Sequence, residues 1–75
     1  MRILLAEDNE QLGDALVTAL KQEHYAVDWV RTGPQALSAP QMEHFDAIIL
    51  DLGLPGQDGL SVLKAWRSKK ILTPV

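Results

Sequence analysis

Short apolar runs alternate with longer segments of helical periodicity along this chain. Residues 3–6 and 47–50 are apolar on both faces and too short for independent helices, as is typical of strands buried between two layers. Residues 25–30 alternate between larger apolar and other side chains, and the charge of Asp28 among them favours an edge strand. The whole pattern predicts βαβ units around an open parallel sheet, with the first strand in its centre.

Three segments have the periodicity and the flanking residues of helices. Asn9 is a natural N-cap for the first helix, His24 occupies its terminating turn, and Asp58 is a plausible N-cap for the third. The second helix begins at Thr32-Gly33-Pro34 and should be short or broken, because Pro40 would remove a hydrogen bond from a longer one. The predicted apolar stripes are Leu12, Ala15, Leu16, Ala19 and Leu20 in the first helix, and Leu60, Leu63 and Trp66 in the third.

The last residues suggest that the fold is incomplete. Residues 71–75 look like the entry to a fourth strand, with Pro74 acceptable only near its start. Right-handed crossovers around a central first strand give the order 2-1-3, with a fourth strand beside the third. We therefore expect an open α/β sheet with helices on both faces, in which residues 1–75 are the N-terminal part of one domain. The third-strand edge would then be available for self-association.

Composition and charge narrow the classes of function. The chain is 47% hydrophobic and 23% charged, which predicts a folded soluble domain, and it has no cysteine for disulfides or thiolate zinc sites. A net charge of −3 with mostly scattered basic residues argues against a nucleic-acid interface. No apolar run approaches the ~20 residues that span a bilayer, so we expect no membrane association and a cytoplasmic location.

Three acidic residues directly follow the two buried strands. Glu7 and Asp8 come after the first strand, and Asp51 comes after the third. Acids at strand ends are usually solvated loop residues or helix caps, so each alone is weak support for a site. In open α/β sheets, however, ligands bind at the carboxyl ends of the strands, and strands one and three are predicted neighbours. The three carboxylates should therefore converge.

Such a cluster predicts phosphoryl chemistry with a divalent cation. Hard oxygen ligands suit Mg²⁺, and a carboxylate beside Mg²⁺ can attack phosphorus and keep the phosphoryl group. Asp51 is the candidate nucleophile, because it stands alone at the end of its strand with flexible Gly53 nearby. Glu7 and Asp8 are better placed to bind the metal or its water, with Asp8 preferred as the direct ligand.

Two segments carry a family resemblance: ILLAEDN at residues 3–9, and DAIILDLGLPGQDG at residues 46–59. They resemble the receiver domains of bacterial two-component response regulators, especially the winged-helix (OmpR/PhoB-type) transcription-factor group. The resemblance extends over essentially the whole chain. It implies a flavodoxin-like (CheY-like) fold of about three and a half βα units here, and phosphorylation of Asp51 by a sensor histidine kinase.

The same resemblance supplies expectations about ligands and partners. It implies that Mg²⁺ is held by Glu7, Asp8, Asp51 and the backbone carbonyl of Gly53. The family completes its site with a hydroxyl residue after the fourth strand and a lysine after the fifth, and neither position occurs here. Thr73 precedes the expected fourth strand, so it does not receive the hydroxyl role. DNA binding is expected only of an output domain in a longer parent protein.

Two other functions stay open on the sequence alone. A hydrolase of the aspartyl-phosphate type should have a general acid two residues beyond its nucleophile, and Gly53 stands there instead. An interaction module that has this fold but is not phosphorylated is credible, because the family's lysine and hydroxyl residue are missing. We favour a phosphoryl acceptor that assists its own phosphorylation and is not a turnover enzyme.

Overall fold

The computed structural model describes the whole chain, Met1–Val75. Strands and helices alternate along it: β1 (Arg2–Ala6), α1 (Glu10–Gln22), β2 (Ala26–Val30), α2 (Gly33–Met42), β3 (Ala47–Leu50) and α3 (Gly59–Ser68). The three strands form one parallel sheet in the order β2-β1-β3. The predicted strand order is confirmed, with β1 in the centre and β2 at an edge.

The two faces of the sheet pack against different helices. One face forms the main core together with α2 and α3; its buried residues are Leu4, Ala6, Ala36, Phe45, Ile48, Leu54, Val62 and Trp66. Leu5 points to the opposite face, because side chains alternate along a strand. Its neighbour in β2, Trp29, packs there against Gly13 of α1. Helices on both faces are therefore confirmed.

The predicted helix termini are largely confirmed. Asn9 accepts a hydrogen bond from the Leu12 N–H at 2.9 Å, and Asp58 caps α3 in the same way. Hydrogen bonds from the Ser61 N–H and hydroxyl lower the pKa of Asp58 and keep this cap ionised. The second helix is short but unbroken, since α2 continues to Met42 with Pro40 in its last turn.

The predicted stripe of α3 is wrong at its first position. Leu60 is 51% exposed, whereas Val62 and Trp66, one helical turn apart, are fully buried. Leu63 packs at the margin of the core. The stripe follows residues 62 and 66 because α3 packs against α2 and the main core with that side inward.

The predicted stripe of α1 is also only partly covered. Leu12 is 49% exposed, and Gly13 is the one fully buried residue of the helix. Ile49, which lies on the same face of the sheet as Leu5, is 39% exposed as well. α1 packs against the β2 side of this face, so the β3 side is open to solvent.

The predicted entry to a fourth strand does not form a strand. Residues 71–75 have no regular secondary structure. The Ile48 N–H donates to the Pro74 carbonyl at 2.8 Å, but Pro74 has no N–H with which to continue a ladder. The edge of β3 is consequently only partly covered. None of the three helices combines the length and the apolar character needed to cross a bilayer.

Glycine at position 24 should stabilise the chain. His24 ends α1 with φ 69°, a left-handed conformation that costs a side chain about 1 kcal/mol and costs glycine little. We expect His24→Gly to raise the free energy of unfolding by about 1 kcal/mol in urea titrations followed by circular dichroism. Glu23→Gly is the matched control, because Glu23 has an ordinary φ of −87°. Equal effects of the two substitutions would contradict this explanation.

Candidate functional site

The three predicted acids meet at the carboxyl edge of the sheet. Ala6 of β1 pairs with Leu50 of β3, so the residues that follow these two strands emerge side by side. One carboxylate oxygen each from Glu7, Asp8 and Asp51 lies within 4.8 Å of the other two. Glu7 is buried, Asp51 is half-buried and Asp8 is exposed. The predicted convergence of these carboxylates is therefore confirmed, and the cluster is exposed to solvent at Asp8.

Backbone hydrogen bonds fix both strand ends. The Asp51 N–H donates to the Ala6 carbonyl at 2.9 Å, and the Glu7 N–H donates to the Val30 carbonyl at 3.0 Å. The Glu7 carboxylate accepts a hydrogen bond from the Asn9 N–H at 3.0 Å. The acids thus stand on extensions of a buried sheet, which holds them more rigidly than a free loop would.

No side-chain cation makes an ion pair or hydrogen bond with any of these three carboxylates. Two ligands of one Mg²⁺ lie at most about 4.2 Å apart, so oxygens within 4.8 Å suit a mixture of direct and water-mediated contacts. The donor set consists of hard carboxylate oxygens, which Mg²⁺ prefers. The residues present therefore fit a magnesium ion.

Gly53 lies beside the candidate nucleophile. Its N–H donates to Asp51 Oδ1 at 3.0 Å, which orients the carboxylate from within the following loop. A Cβ atom at this position would come no closer than 3.6 Å to Asp51 Oδ1, so space alone does not require glycine here. The role of the Gly53 carbonyl as a metal ligand stays a prediction.

The loop after Asp51 is held by two glycines, one through a close approach and the other through a hydrogen bond. A Cβ atom on Gly59 would lie 2.7 Å from the Asp51 carbonyl oxygen, so only glycine lets α3 begin this close to the strand end. The Gly33 N–H, at the start of α2, donates to the Pro55 carbonyl at 2.9 Å. These contacts connect the site loop to the first turns of two helices.

Two further acids, Asp28 and Asp46, lie outside the site. Asp46 is at the opposite end of β3, where a 2.7 Å hydrogen bond from the Arg2 N–H lowers the pKa of its carboxyl. Asp28 pairs with the Arg2 guanidinium at 2.7 Å, on the edge strand as predicted. Both acids bind Arg2, the first residue of β1.

Two residues at the site were not predicted to contribute to it. Trp29 of β2 donates its Nε1–H to the Glu7 carbonyl at 2.9 Å. The Arg31 guanidinium lies 3.8 Å from the Trp29 ring centroid and forms an ion pair with Glu10. Local periodicity does not predict these contacts. The hydrogen bonds from Trp29 to Glu7 and from Arg31 to Glu10 join residues more than 20 positions apart. The contact between Arg31 and Trp29 depends on how the two side chains are oriented.

Comparison with curated proteins gives a consistent group of relatives. The chain is 45% identical over 75 residues to the transcriptional regulatory protein QseB of Escherichia coli O157:H7, covering all of this chain and 34% of that protein. It is also 45% identical over 75 residues to the response regulator protein PmrA of Pseudomonas aeruginosa, with the same coverage. The chain thus spans about a third of the length of these relatives.

Solved structures of response regulators also match this chain. The receiver domain of the Francisella response regulator 1452 matches with a TM-score of 0.95 at 28% identity, over 99% of this chain and 61% of that one. The response regulator TrrA of Thermotoga maritima, in complex with Mg²⁺-BeF, matches with a TM-score of 0.86 at 34% identity, over 93% and 61%. A chain from the complex of TrrA with the histidine kinase ThkA matches with a TM-score of 0.87 at 33% identity, over 96% and 62%.

The sequence profile of the response regulator receiver domain matches residues 3–75, nearly the whole chain. This match agrees with the strand order, with the helices on both faces and with the acids at the carboxyl edge of the sheet. The predicted family and fold are therefore confirmed. The chain belongs to the family of response regulator receiver domains.

Proposed function

We propose that this chain accepts a phosphoryl group on Asp51, with Mg²⁺ held by Glu7, Asp8, Asp51 and the Gly53 carbonyl. The observation that carries the proposal is the convergence of three carboxylates within 4.8 Å at the end of the central and third strands. The match of one TrrA structure in complex with Mg²⁺-BeF supports the choice of metal.

Asp51 has the chemistry of the acceptor. Its carboxylate oxygen attacks phosphorus, the bond from phosphorus to the donor atom breaks, and the leaving group takes the electron pair of that bond. The Gly53 N–H binds Oδ1, so it restricts rotation of the carboxylate and leaves the other oxygen free to attack. Bound Mg²⁺ would offset negative charge on the phosphoryl oxygens during this transfer.

Glu7 and Asp8 would contact the metal in different ways. Glu7 is buried and bonded to the Asn9 N–H, which favours contact with the metal through water, whereas exposed Asp8 is free to bind it directly. Gly53 stands two residues beyond Asp51, where a hydrolase of this kind would need its general acid. We therefore propose an acceptor that assists its own phosphorylation and is not a turnover enzyme.

The proposed phosphodonor in the cell is a sensor histidine kinase. One matching chain comes from a complex of a histidine kinase with a response regulator, which supports a kinase partner for this fold. Because the relative QseB is named a transcriptional regulatory protein and is about three times longer than this chain, we propose that DNA binding belongs to a separate output domain. We also propose that the chain is cytoplasmic and that it self-associates through the partly covered edge of β3.

Incubation with a small acyl phosphate tests the proposed function. With Mg²⁺ present, we expect the intact mass of the chain to increase by one phosphoryl group, and a chelator should prevent the increase. Circular dichroism before and after chelation serves as the control for folding. A folded chain that gains no phosphoryl group with Mg²⁺ would support the alternative of an interaction module that is not phosphorylated.

A further inference from the structure

The peptide group that joins Glu7 to Asp8 is held from the edge strand. Its carbonyl oxygen, which belongs to Glu7, accepts a hydrogen bond from Trp29 Nε1 at 2.9 Å. The Glu7 N–H, on the other side of the residue, donates to the Val30 carbonyl at 3.0 Å. Both backbone groups of Glu7 are therefore bonded to β2.

The direction of this carbonyl decides where the next side chain points. A peptide group is planar, so rotation of the Glu7 carbonyl also rotates the Asp8 N–H and changes ψ of Glu7 together with φ of Asp8. Asp8 is exposed and its carboxylate makes no hydrogen bond with the rest of the chain. The backbone is thus the only restraint that keeps the Asp8 carboxylate near Asp51.

The Trp29 ring is itself held in place. A Cβ atom on Gly13 would lie 2.1 Å from ring atom Cζ2, so α1 can approach the ring only because residue 13 is glycine. The Arg31 guanidinium lies 3.8 Å from the ring centroid and donates to both carboxylate oxygens of Glu10, at 3.2 and 3.3 Å. Glu10 begins α1. The contacts of Glu7 with Trp29, of Trp29 with Arg31 and of Arg31 with Glu10 therefore connect both ends of the segment 7–10 to β2 and the residue that follows it.

We propose that Trp29 is a positioning residue for magnesium, whose indole N–H fixes the Glu7 carbonyl and so directs the Asp8 carboxylate towards Asp51. The inference rests on the proposed function, because it assumes that Mg²⁺ binds among these acids. The competing interpretation is that Trp29 only buries apolar area against α1, in which case its N–H has no effect on the metal.

Phenylalanine at position 29 separates these interpretations, because it keeps an aromatic ring and removes the donor. The matched control is Trp66→Phe, since Trp66 also donates its Nε1–H to a backbone carbonyl, that of Leu37 at 3.3 Å, on the opposite face of the sheet. Mg²⁺ affinity is measured by NMR titration with magnesium chloride, following the backbone amides of Asp8 and Gly53. We expect about threefold to tenfold weaker binding for Trp29→Phe and unchanged binding for Trp66→Phe.

The outcomes distinguish this inference from the proposed function. If the wild-type chain binds Mg²⁺ and Trp29→Phe binds it equally well, the positioning role is wrong and the proposed function stands. If the wild-type chain does not bind Mg²⁺ at all, both are wrong. If Trp29→Phe does not fold, the indole N–H signals of the wild-type chain decide: a Trp29 signal that does not move at saturating Mg²⁺ overturns the inference, and movement of Trp29 without Trp66 supports it.

Discussion

Substitution of Asp51 by asparagine will greatly slow phosphorylation of the chain by a small acyl phosphate. The amide has nearly the shape of the carboxylate and can still accept the hydrogen bond from the Gly53 N–H at its oxygen. It is not an anionic nucleophile, however, so the rate of phosphoryl transfer should fall by on the order of a hundredfold or more. Intact mass spectrometry over a time course measures this rate.

Asp46→Asn is the matched control for this prediction. Asp46 immediately precedes β3 and Asp51 immediately follows it, so the same chemical change is made at the two ends of one strand. The asparagine oxygen can still accept the hydrogen bond from the Arg2 N–H. We expect Asp46→Asn to be phosphorylated at the wild-type rate. Wild-type labelling of Asp51→Asn would mean that another residue accepts the phosphoryl group.

Truncation of Trp66 to alanine will strongly destabilise the chain. Trp66 is fully buried at the centre of the core between α2, α3 and the sheet, and its Nε1–H donates to the Leu37 carbonyl. Removal of a buried tryptophan costs about 3–5 kcal/mol. A domain of this length is expected to have a free energy of unfolding of roughly 4–11 kcal/mol, so the variant should lose about a quarter of it or more.

Leu60→Ala, on the same helix, provides the comparison. Leu60 is 51% exposed, so its truncation should change the free energy of unfolding by no more than about 0.5 kcal/mol. Urea titrations followed by circular dichroism compare the two variants without relying on tryptophan fluorescence. A cost for Leu60→Ala equal to that for Trp66→Ala would mean that α3 packs on the stripe originally predicted from its periodicity.

Local sequence signals predicted most of the elements correctly. Asn9 and Asp58 identify helix starts because a short side-chain acceptor bonds the N–H three residues on, which is a contact within one turn. The two apolar runs identify strands because no other short element is apolar on both faces, and β1 is buried as expected. The expected burial of the second run is wrong, because only Ile48 of β3 is buried and Ile49 is exposed. The order of the strands followed from the handedness of the crossovers, which does not depend on side chains.

Contacts between distant elements account for what the sequence could not predict. Leu12 and Leu60 belong to helical stripes, but periodicity does not tell how much of each stripe a neighbour covers. The segment at Pro74 is apolar enough for a strand, yet it forms a single backbone hydrogen bond with β3 instead of a ladder. Strand and helix patterns predict local conformation, whereas the burial of Leu12 and Leu60 and the pairing of Pro74 depend on which distant elements pack against them.

At the candidate site, too, the positions of the strand ends were predictable, whereas side-chain contacts between distant elements were not. The convergence of Glu7, Asp8 and Asp51 was predictable, because each directly follows a strand whose place in the sheet was predictable. The bond from Trp29 to the Glu7 carbonyl was not, since it spans 22 positions and depends on a side-chain orientation. Gly13 had no signal either, because the ring that excludes a Cβ atom there lies on another element.

The most direct test of the account is to locate the phosphoryl group in the wild-type chain. After reaction with an acyl phosphate and Mg²⁺, borohydride reduction converts a phosphorylated aspartate to homoserine, and peptide mass spectrometry then identifies the converted position. We expect conversion at Asp51 alone and none when a chelator is present. Conversion at Asp8 or Asp58, or a phosphoryl group retained on any other residue, would contradict it.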